Sequence, residues 1–469
     1  MKKSKKFVLA ALVLLAITGL LPLAGCKNDS VPPEVEKQEQ GDGGGSETDK
    51  NNTAAKLVSI SVTPSEGTVY SVGEKVVHKK GDEIGVIATY DDGTTSTVTG
   101  TITTDTSSLT ESAGIGKTVT VSYMEGGITR EASFTIDVAS YQFTETVQDT
   151  GGNYKKFGDW PQTIKEEDVE IGAGTLVRGG LTYHVGNDGN YYVKITAKPY
   201  EDTSTYTYSD GNLVEKDKEV YFKVEPIVWR VLTTNYTAPP EGGTVGEILL
   251  LAEKILTGGI PYYHFDREGG LDGKEWSGSR IIGNKTIHPN NYEHSQIRAW
   301  LNGLSYQSKE SEGATQSSKD EYKNAGFLQT AFTQSARNLI ADTTVDNSVT
   351  STFGTGENTL DNPYACGNTT DKVFLLSEEE ATNSEYGFGA YSEKDSARIR
   401  VTTDYAKATG VNQSSTPGYG GWWWLRSPIY LFESLARGID YYGYAIYNDI
   451  VDFSNGGVVP ALSISLKSN

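Results

Sequence analysis

Basic residues are scarce in this 469-residue chain. Lysine and arginine number 41 against 61 aspartates and glutamates, a formal net charge of −20. That balance excludes nucleic acid as an expected partner, and anionic membrane surfaces too, because both are recognised by basic patches. Histidine is rarer still. His78, His184, His264, His288 and His294 show no His-Glu-x-x-His spacing, and His288 and His294 flank a Pro-Asn-Asn loop that suits solvated side chains. Neither a Gly-x-Ser-x-Gly elbow nor a phosphate-binding glycine loop occurs. No pair among the many carboxylates is set apart for glycosidic chemistry. The expectation is a chain with no cofactor, no metal and no enzymatic activity.

Long apolar runs are also missing. The longest lies at residues 7–21, behind the basic cluster Lys2, Lys3, Lys5 and Lys6. Its length suits the core of a signal peptide better than a spanning helix. It runs into Leu23-Ala24-Gly25-Cys26, which resembles the lipobox of bacterial lipoproteins. The resemblance implies cleavage before Cys26, a diacylglycerol on its thiol and an acylated amine. Several acyl chains anchor stably, since each buried CH₂ contributes about 0.8 kcal/mol. The expected location is therefore outside the cytoplasm, lipid-anchored to the bacterial cell membrane, at the outer membrane or cell surface. Loss of residues 1–25 removes four lysines and takes the net charge from −20 to −24. Cys366 is then alone, so no disulfide, cysteine zinc site or two-cysteine redox centre can form. Beside Ala365 it reads as a small, partly buried residue.

Four segments follow from composition and pattern: a signal peptide at 1–25, a polar Gly-rich tether at 26–55, an all-β module at 56–138 and a larger α+β unit at 139–469. In the module, strands are expected around 57–62, 85–90, 118–123 and 132–138, with a hairpin turn at Asp91-Asp92-Gly93. Short strands between such turns imply a sandwich. Tyr90-Asp91-Asp92-Gly93, the strand from Val119 and the closing Phe134-x-Ile136-x-Val138 resemble the bacterial immunoglobulin-like domains of surface proteins, which act as spacers.

In the larger unit, residues 191–195, 220–224, 226–232 and 248–252 read as strands. Helices are expected after Ser295, over about 325–341, after the capping box Ser377-Glu378-Glu379-Glu380, and at 403–408 before Gly410. The three glutamates suit the positive end of a helix dipole.

Six motifs occur in order: Phe157-Gly158-Asp159-Trp160-Pro161-Gln162-Thr163, Ile227-Val228-Trp229-Arg230-Val231-Leu232, Ser295-x-Ile297-Arg298-x-Trp300-Leu301-Asn302, Val373-Phe374-Leu375-Leu376-Ser377, Trp423-Trp424-Leu425-Arg426-Ser427-Pro428 and Val458-Val459-Pro460-Ala461-Leu462. Together they resemble an uncharacterised domain of bacterial surface lipoproteins, with large paralogous sets in spirochaetes such as Treponema. The order of Trp-rich strand, Arg-Ser turn, polar stretch and terminal apolar strand is similar to C-type-lectin-like domains, including the formylglycine-generating-enzyme branch. That likeness implies that residues 458–466 return beside 228–232, that Trp423 to Leu425 are core and that Arg426 to Pro428 form a turn. The paired proline loop of calcium-dependent lectins is absent, and only Tyr447-Asn448-Asp449 is distantly similar to their Trp-Asn-Asp strand. Formylglycine-type oxidation needs two cysteines, which Cys366 cannot supply.

A surface remains. Ile429, Tyr430, Phe432, Asp440, Tyr441, Tyr442, Tyr444, Tyr447, Asn448 and Asp449 lie between the Trp motif and the terminal strand. Tyrosine mixed with asparagine and aspartate is the composition of adaptable recognition surfaces. In the retroelement-diversified lectin-fold proteins, this region carries the variable ligand contacts. The resemblance implies an adhesin-like domain binding a host or envelope glycan or protein. Alternatives are a structural or antigenic lipoprotein with no defined ligand, and a glycan-acting enzyme. If Cys26 is the anchor, Cys26→Ser abolishes metabolic labelling with palmitate and moves the protein from the membrane to the soluble fraction; retained label would refute the lipobox.

Overall fold

The computed structural model describes residues 54–65, 67–200, 206–236, 247–265, 278–352, 362–430 and 432–465. The leader, the lipobox with Cys26 and nearly all of the tether lie outside the described residues. The first module contains the four expected strands and two more: Leu57–Ser61, Val69–Ser71, Glu83–Tyr90, Thr95–Ile102, Gly114–Glu125 and Ile128–Ala139. Alternation places Val86, Ala88, Val119, Val121 and Ile136 inside. At the expected hairpin, Asp92 Oδ1 accepts from Thr94 N and Oγ1, and Gly93 takes a φ of 84°. All six strands hydrogen-bond in one ladder, rather than in the two separate sheets that the turns suggested. The ladder folds back on itself, with Arg130 Nε of the last strand donating to Val58 O of the first at 2.6 Å.

This module does not hang free. Asp137 is buried and accepts from Gly116 N in its own module and from Gly174 N in the next unit, at 2.8 and 2.6 Å. The close approach requires glycine, since a Cβ at Gly172 would lie 2.2 Å from the Asp137 carboxylate. Tyr183, Val185, Tyr191 and Val193 complete an apolar seam with Ala139, Val69 and Ile115.

The spine of the larger unit is the strand Glu219–Tyr236, which unites the two strands expected at 220–224 and 226–232. It pairs antiparallel with Tyr154–Ile164, Tyr191–Thr196 and Glu247–Ala252. Pro226 sits inside it, where the register against Tyr154–Ile164 slips, as a residue with no N–H to donate allows. Glu247–Ala252 is buried at every position. Its other edge pairs with the terminal strand Ala461–Ser465, which pairs in turn with Val373–Phe374. The expected neighbour of the terminal strand, residues 228–232, is thus one strand further away. Glu247–Ala252 occupies the intervening place, and its Glu247 carboxylate accepts from Ser463 Oγ at 2.7 Å.

Helix is less abundant than the α+β expectation. Among the described residues the six α-helices have only four to seven residues each, so the unit is mostly β. Ser295 caps Gln296–Asn302 through Arg298 N, and Thr403 caps Asp404–Ala408. The helix expected over 325–341 splits into Phe327–Ala331 and Gln334–Arg337, leaving Leu339 37% exposed. Phe332 is extended (φ −123°, ψ 136°) and buried on Phe157 and Trp229, while Thr333 caps a new turn through Ala336 N. Burial of the aromatic ring outweighs continuation of one helix.

Trp422, Trp423 and Trp424 are fully buried, as their apolar area requires. Arg426 to Pro428 are not a turn: the strand Trp423–Pro428 runs through all six residues, every one buried. Arg426 therefore carries its charge into the core. It donates to Leu375 O at 2.8 Å, to Asp346 O at 3.0 and 3.3 Å, to Ser351 Oγ at 3.3 Å and to the Glu380 carboxylate. Glu380 also closes the capping box with Ser377 and accepts from Tyr236 at 3.0 Å. Glu378 is buried against Arg437 at 2.9 Å. Two of the three glutamates thus answer buried arginines as well as the helix end. Arg426→Ala leaves Glu380 buried and unpaired, and is expected to cost about 3–5 kcal/mol of unfolding free energy, read as a lowered urea midpoint. Arg426→Met with Glu380→Leu should recover much of it; an Arg426→Ala loss below about 1 kcal/mol would show a pair relieved by solvent.

Candidate functional site

Trp423–Pro428, Leu435–Ile439 and Tyr447–Ile450 form a three-stranded antiparallel sheet. The two connections, residues 429–434 and 440–446, emerge at opposite ends of the middle strand. Five residues at about 3.4 Å each separate those ends by about 17 Å. The ten sequence candidates therefore do not form one surface. Ile429, Tyr430 and Phe432 belong to one end; Asp440, Tyr441, Tyr442 and Tyr444 belong to the other. Tyr447, Asn448 and Asp449 lie on the edge strand.

The first end is clasped. Asn290, fully buried, donates through Nδ2 to Phe432 O and Leu435 O at 3.0 and 3.1 Å, and its N–H to Glu433 O at 3.0 Å. His288 Nδ1 meets Glu433 Oε2 at 2.6 Å, and its ring lies edge-on to Tyr364. The Pro-Asn-Asn loop is a fastener, and His288, expected as a solvated side chain, is half-buried and held to Glu433. Phe432 remains 56% exposed at the tip, while Ile429 is buried.

The second end presents tyrosine on a rigid turn. Asp440 Oδ1 accepts from Tyr442 N and Tyr444 N at 2.9 and 2.8 Å, so its role is to shape the turn. Gly443 adopts a φ of 87° with no room for a Cβ, which would lie 2.1 Å from Asp395 O. Beneath it, buried Arg398 donates to five backbone carbonyls, those of Gly443, Ala381, Gly389, Ala390 and Glu393. That hub ties the turn to the loop carrying Lys394. The Lys394 ammonium donates to Tyr419 Oη at 2.9 Å and lies 5.7 Å from the Tyr442 ring centre. Tyr419 and Tyr442 pack edge-to-face at 4.7 Å, and Tyr442 is 40% exposed. Tyr441 folds inward toward Asn412, Tyr206 and Tyr200. Tyr447 packs on Trp422 and donates to Asp449 Oδ2 at 2.6 Å, which makes both structural; Asn448 is exposed.

Sequence reasoning missed Tyr419 and Lys394. Tyr419 had a signal, in the loop Pro417-Gly418-Tyr419-Gly420-Gly421 immediately before the tryptophans; Lys394 had none. Elsewhere, a cavity of about 570 Å³ gathers His264, Glu310, Glu321 and Asp452. Its carboxylates are engaged: Glu310 pairs with Lys319 at 2.8 Å, which lowers its pKa, and Glu321 accepts from Tyr306 at 2.7 Å. Among the described residues no group of three His, Cys, Asp or Glu side chains is arranged to hold a metal ion. Cys366 packs half-buried on the core, and burial pushes its thiol up to about 11, away from nucleophilic use near neutrality.

A family described as a domain of unknown function (DUF6273) matches residues 246–466. The match runs from the strand Glu247–Ala252 to the terminal strand, and takes in the tryptophan sheet, both of its ends and four of the six motifs. The Phe157 and Ile227 motifs precede it. No curated protein and no solved structure matches the chain.

Burial pushes the Tyr441 hydroxyl from 10.0 up to about 12. A raised phenol stabilises the fold fully below pH 10, and that contribution is lost as pH climbs through 12. Carbon-13 labelling at tyrosine Cζ, with Tyr441→Phe to assign the resonance, should show titration near 12; a midpoint near 10 would place the hydroxyl in open solvent.

Proposed function

We propose that this chain is a lipid-anchored cell-envelope protein that displays a ligand-binding, adhesin-like domain on an immunoglobulin-like module. The proposal places the anchor at Cys26 and the protein at the outer membrane or cell surface, and gives the terminal domain a C-type-lectin-like ancestry within the Treponema-type lipoproteins. The binding surface is the turn end of the tryptophan sheet, with Tyr419, Tyr442, Tyr444 and Lys394 as contacts and Tyr441 beneath them. One observation carries this: Tyr442 and Tyr419 are packed ring to ring under a lysine ammonium, on a turn fixed from below by Arg398. Pre-ordered aromatic rings offer contact area with little entropy left to lose, which favours binding over mere display. Flat rings flanked by hydroxyls and one cation suit a glycan or a polar protein epitope. Phe432, at the far end, lies outside this surface.

A second reading is a structural or antigenic lipoprotein with no defined ligand. It is favoured by the division of the candidates between two ends and by the clasp on residues 429–434.

A glycan and host-matrix array separates the two. Native protein should mark a small set of spots, and Tyr419→Ala with Tyr442→Ala should reduce that signal about tenfold or more. A signal unchanged in this variant, and in one changed at Tyr441, Tyr442 and Tyr444, would remove the turn end as the binding site.

A further inference from the structure

A groove of about 580 Å³ opens beside the seam between the first module and the larger unit. Its walls are the end of the strand Ile171–Arg178 and the broken helical stretch 327–337. Both walls are fixed. Gly179, with a φ of 56°, approaches Thr330 so closely that a Cβ would lie 2.4 Å from its Oγ1, and Gly180 N donates to that oxygen at 3.1 Å. The break at Phe332 redirects the chain so that Arg337 joins Arg178 on the lining.

Four polar atoms of this lining are buried with no hydrogen-bond partner among the described residues: Arg178 Nη1 and Nη2, Arg337 Nε and Gln329 Oε1. The Arg178 guanidinium carbon lies over the Phe143 ring, 4.1 Å from its centre, while Nη1 and Nη2 are left without acceptors among the described residues. Arg337 commits only Nη2, to Gln334 Oε1 at 2.7 Å. The acid whose charge reaches Arg178 is Asp159, and its oxygens are taken by Tyr141 at 2.6 Å and by Thr144 at 2.8 and 2.9 Å. Burial and the like charge of Arg337 both press the Arg178 pKa down. In a chain with a 20-charge excess of acid, two arginines meet on one lining, and among the described residues no carboxylate is bonded to either. Guanidinium nitrogens held out of water without an acceptor are unfavourable, so an incoming anion gains what the chain withholds.

The orphan atoms also state what the ligand must carry. Guanidinium edges fit an oxyanion such as a carboxylate, whose two oxygens accept parallel N–H donors. Gln329 Oε1 asks for a donor, which a carboxylate alone lacks and a neighbouring hydroxyl supplies. We propose that this groove binds a small hydroxylated carboxylate, such as a sugar acid, with Arg178 and Arg337 holding the carboxylate and Gln329 accepting from a hydroxyl. The site is separate from the tyrosine turn and stands whether or not that turn binds a ligand.

Calorimetric titration of the full chain with D-glucuronate, inorganic phosphate and D-glucose tests the assignment. Glucuronate should bind, glucose should not, and phosphate should bind more weakly, because its only O–H groups lie on the same phosphorus as the oxygens the arginines hold, whereas a sugar acid carries hydroxyls along its ring. Arg178→Met keeps the stem on Phe143 while removing the charge, and should weaken glucuronate about tenfold or more. Arg337→Gln, at a partly exposed position, should weaken it several-fold and keeps the test valid if the Arg178 variant misfolds, as circular dichroism would reveal. Absence of glucuronate binding, or affinity unchanged in the folded variants, would overturn the site; phosphate binding as tightly as glucuronate would overturn the hydroxylated carboxylate.

Discussion

The Arg426–Glu380 ion pair is the constraint on which the larger unit depends. A guanidinium carried into the core by a strand must be paired and fully hydrogen-bonded, or the chain cannot bury it. Its donors reach Leu375 O, Asp346 O and Ser351 Oγ, while Glu380 answers with its carboxylate and ties in Ser377 and Tyr236. Three stretches distant in sequence, at Tyr236, 346–351 and 375–380, are thereby fixed to one point of the tryptophan sheet. Arg437 with Glu378 repeats the arrangement one strand over, and Arg398 does so chiefly with carbonyls, Asp395 lying 4.0 Å away. Such pairs add little net stability compared with apolar packing. They fix one arrangement, because every alternative leaves a charge buried and unmatched.

From that rigidity the character of the surface follows. A sheet anchored by buried tryptophans and pinned by buried arginines can present different chemistry at its two ends. At the end containing residues 429–434, Asn290 and His288 close down the connection, leaving Phe432 projecting from a fastened hairpin. At the other end, Asp440 and Gly443 set a turn that holds tyrosine outward beside Lys394. The first module packs on the larger unit, since Asp137 hydrogen-bonds across the seam and glycine at 172 and 174 admits it.

Much of this was legible locally. Ser295 and Ser377 marked helix starts because a cap needs only a hydroxyl and the next turn. The unbroken apolar run at 248–252 marked a strand covered on both faces, and the lectin-like resemblance put Trp423 to Leu425 in the core. What escaped was long-range. Nothing near Phe332 shows that Phe157 and Trp229 will hold its ring and break the helix. Nothing in Asn290 or His288 announces partners some 140 residues later. The reading of Arg426-Ser427-Pro428 as a turn failed for the same reason: an arginine followed by serine and proline looks exposed until Glu380 is brought to it. The ten candidates looked contiguous because they are so in sequence, whereas a hairpin sends alternate connections to opposite ends.

Native-state hydrogen exchange at Trp424 and Arg426 tests the central dependence most directly. Their amides donate to Gly457 O and Leu376 O, joining the tryptophan strand to both the terminal segment and the capped helix. If the buried pair holds the unit together, both amides exchange only through global unfolding, and in Arg426→Lys their protection falls by the same free energy as the overall stability. Exchange of residues 423–428 through a local opening, with the strand Glu247–Ala252 still protected, would show that the ion pair decorates a fold held together by something else.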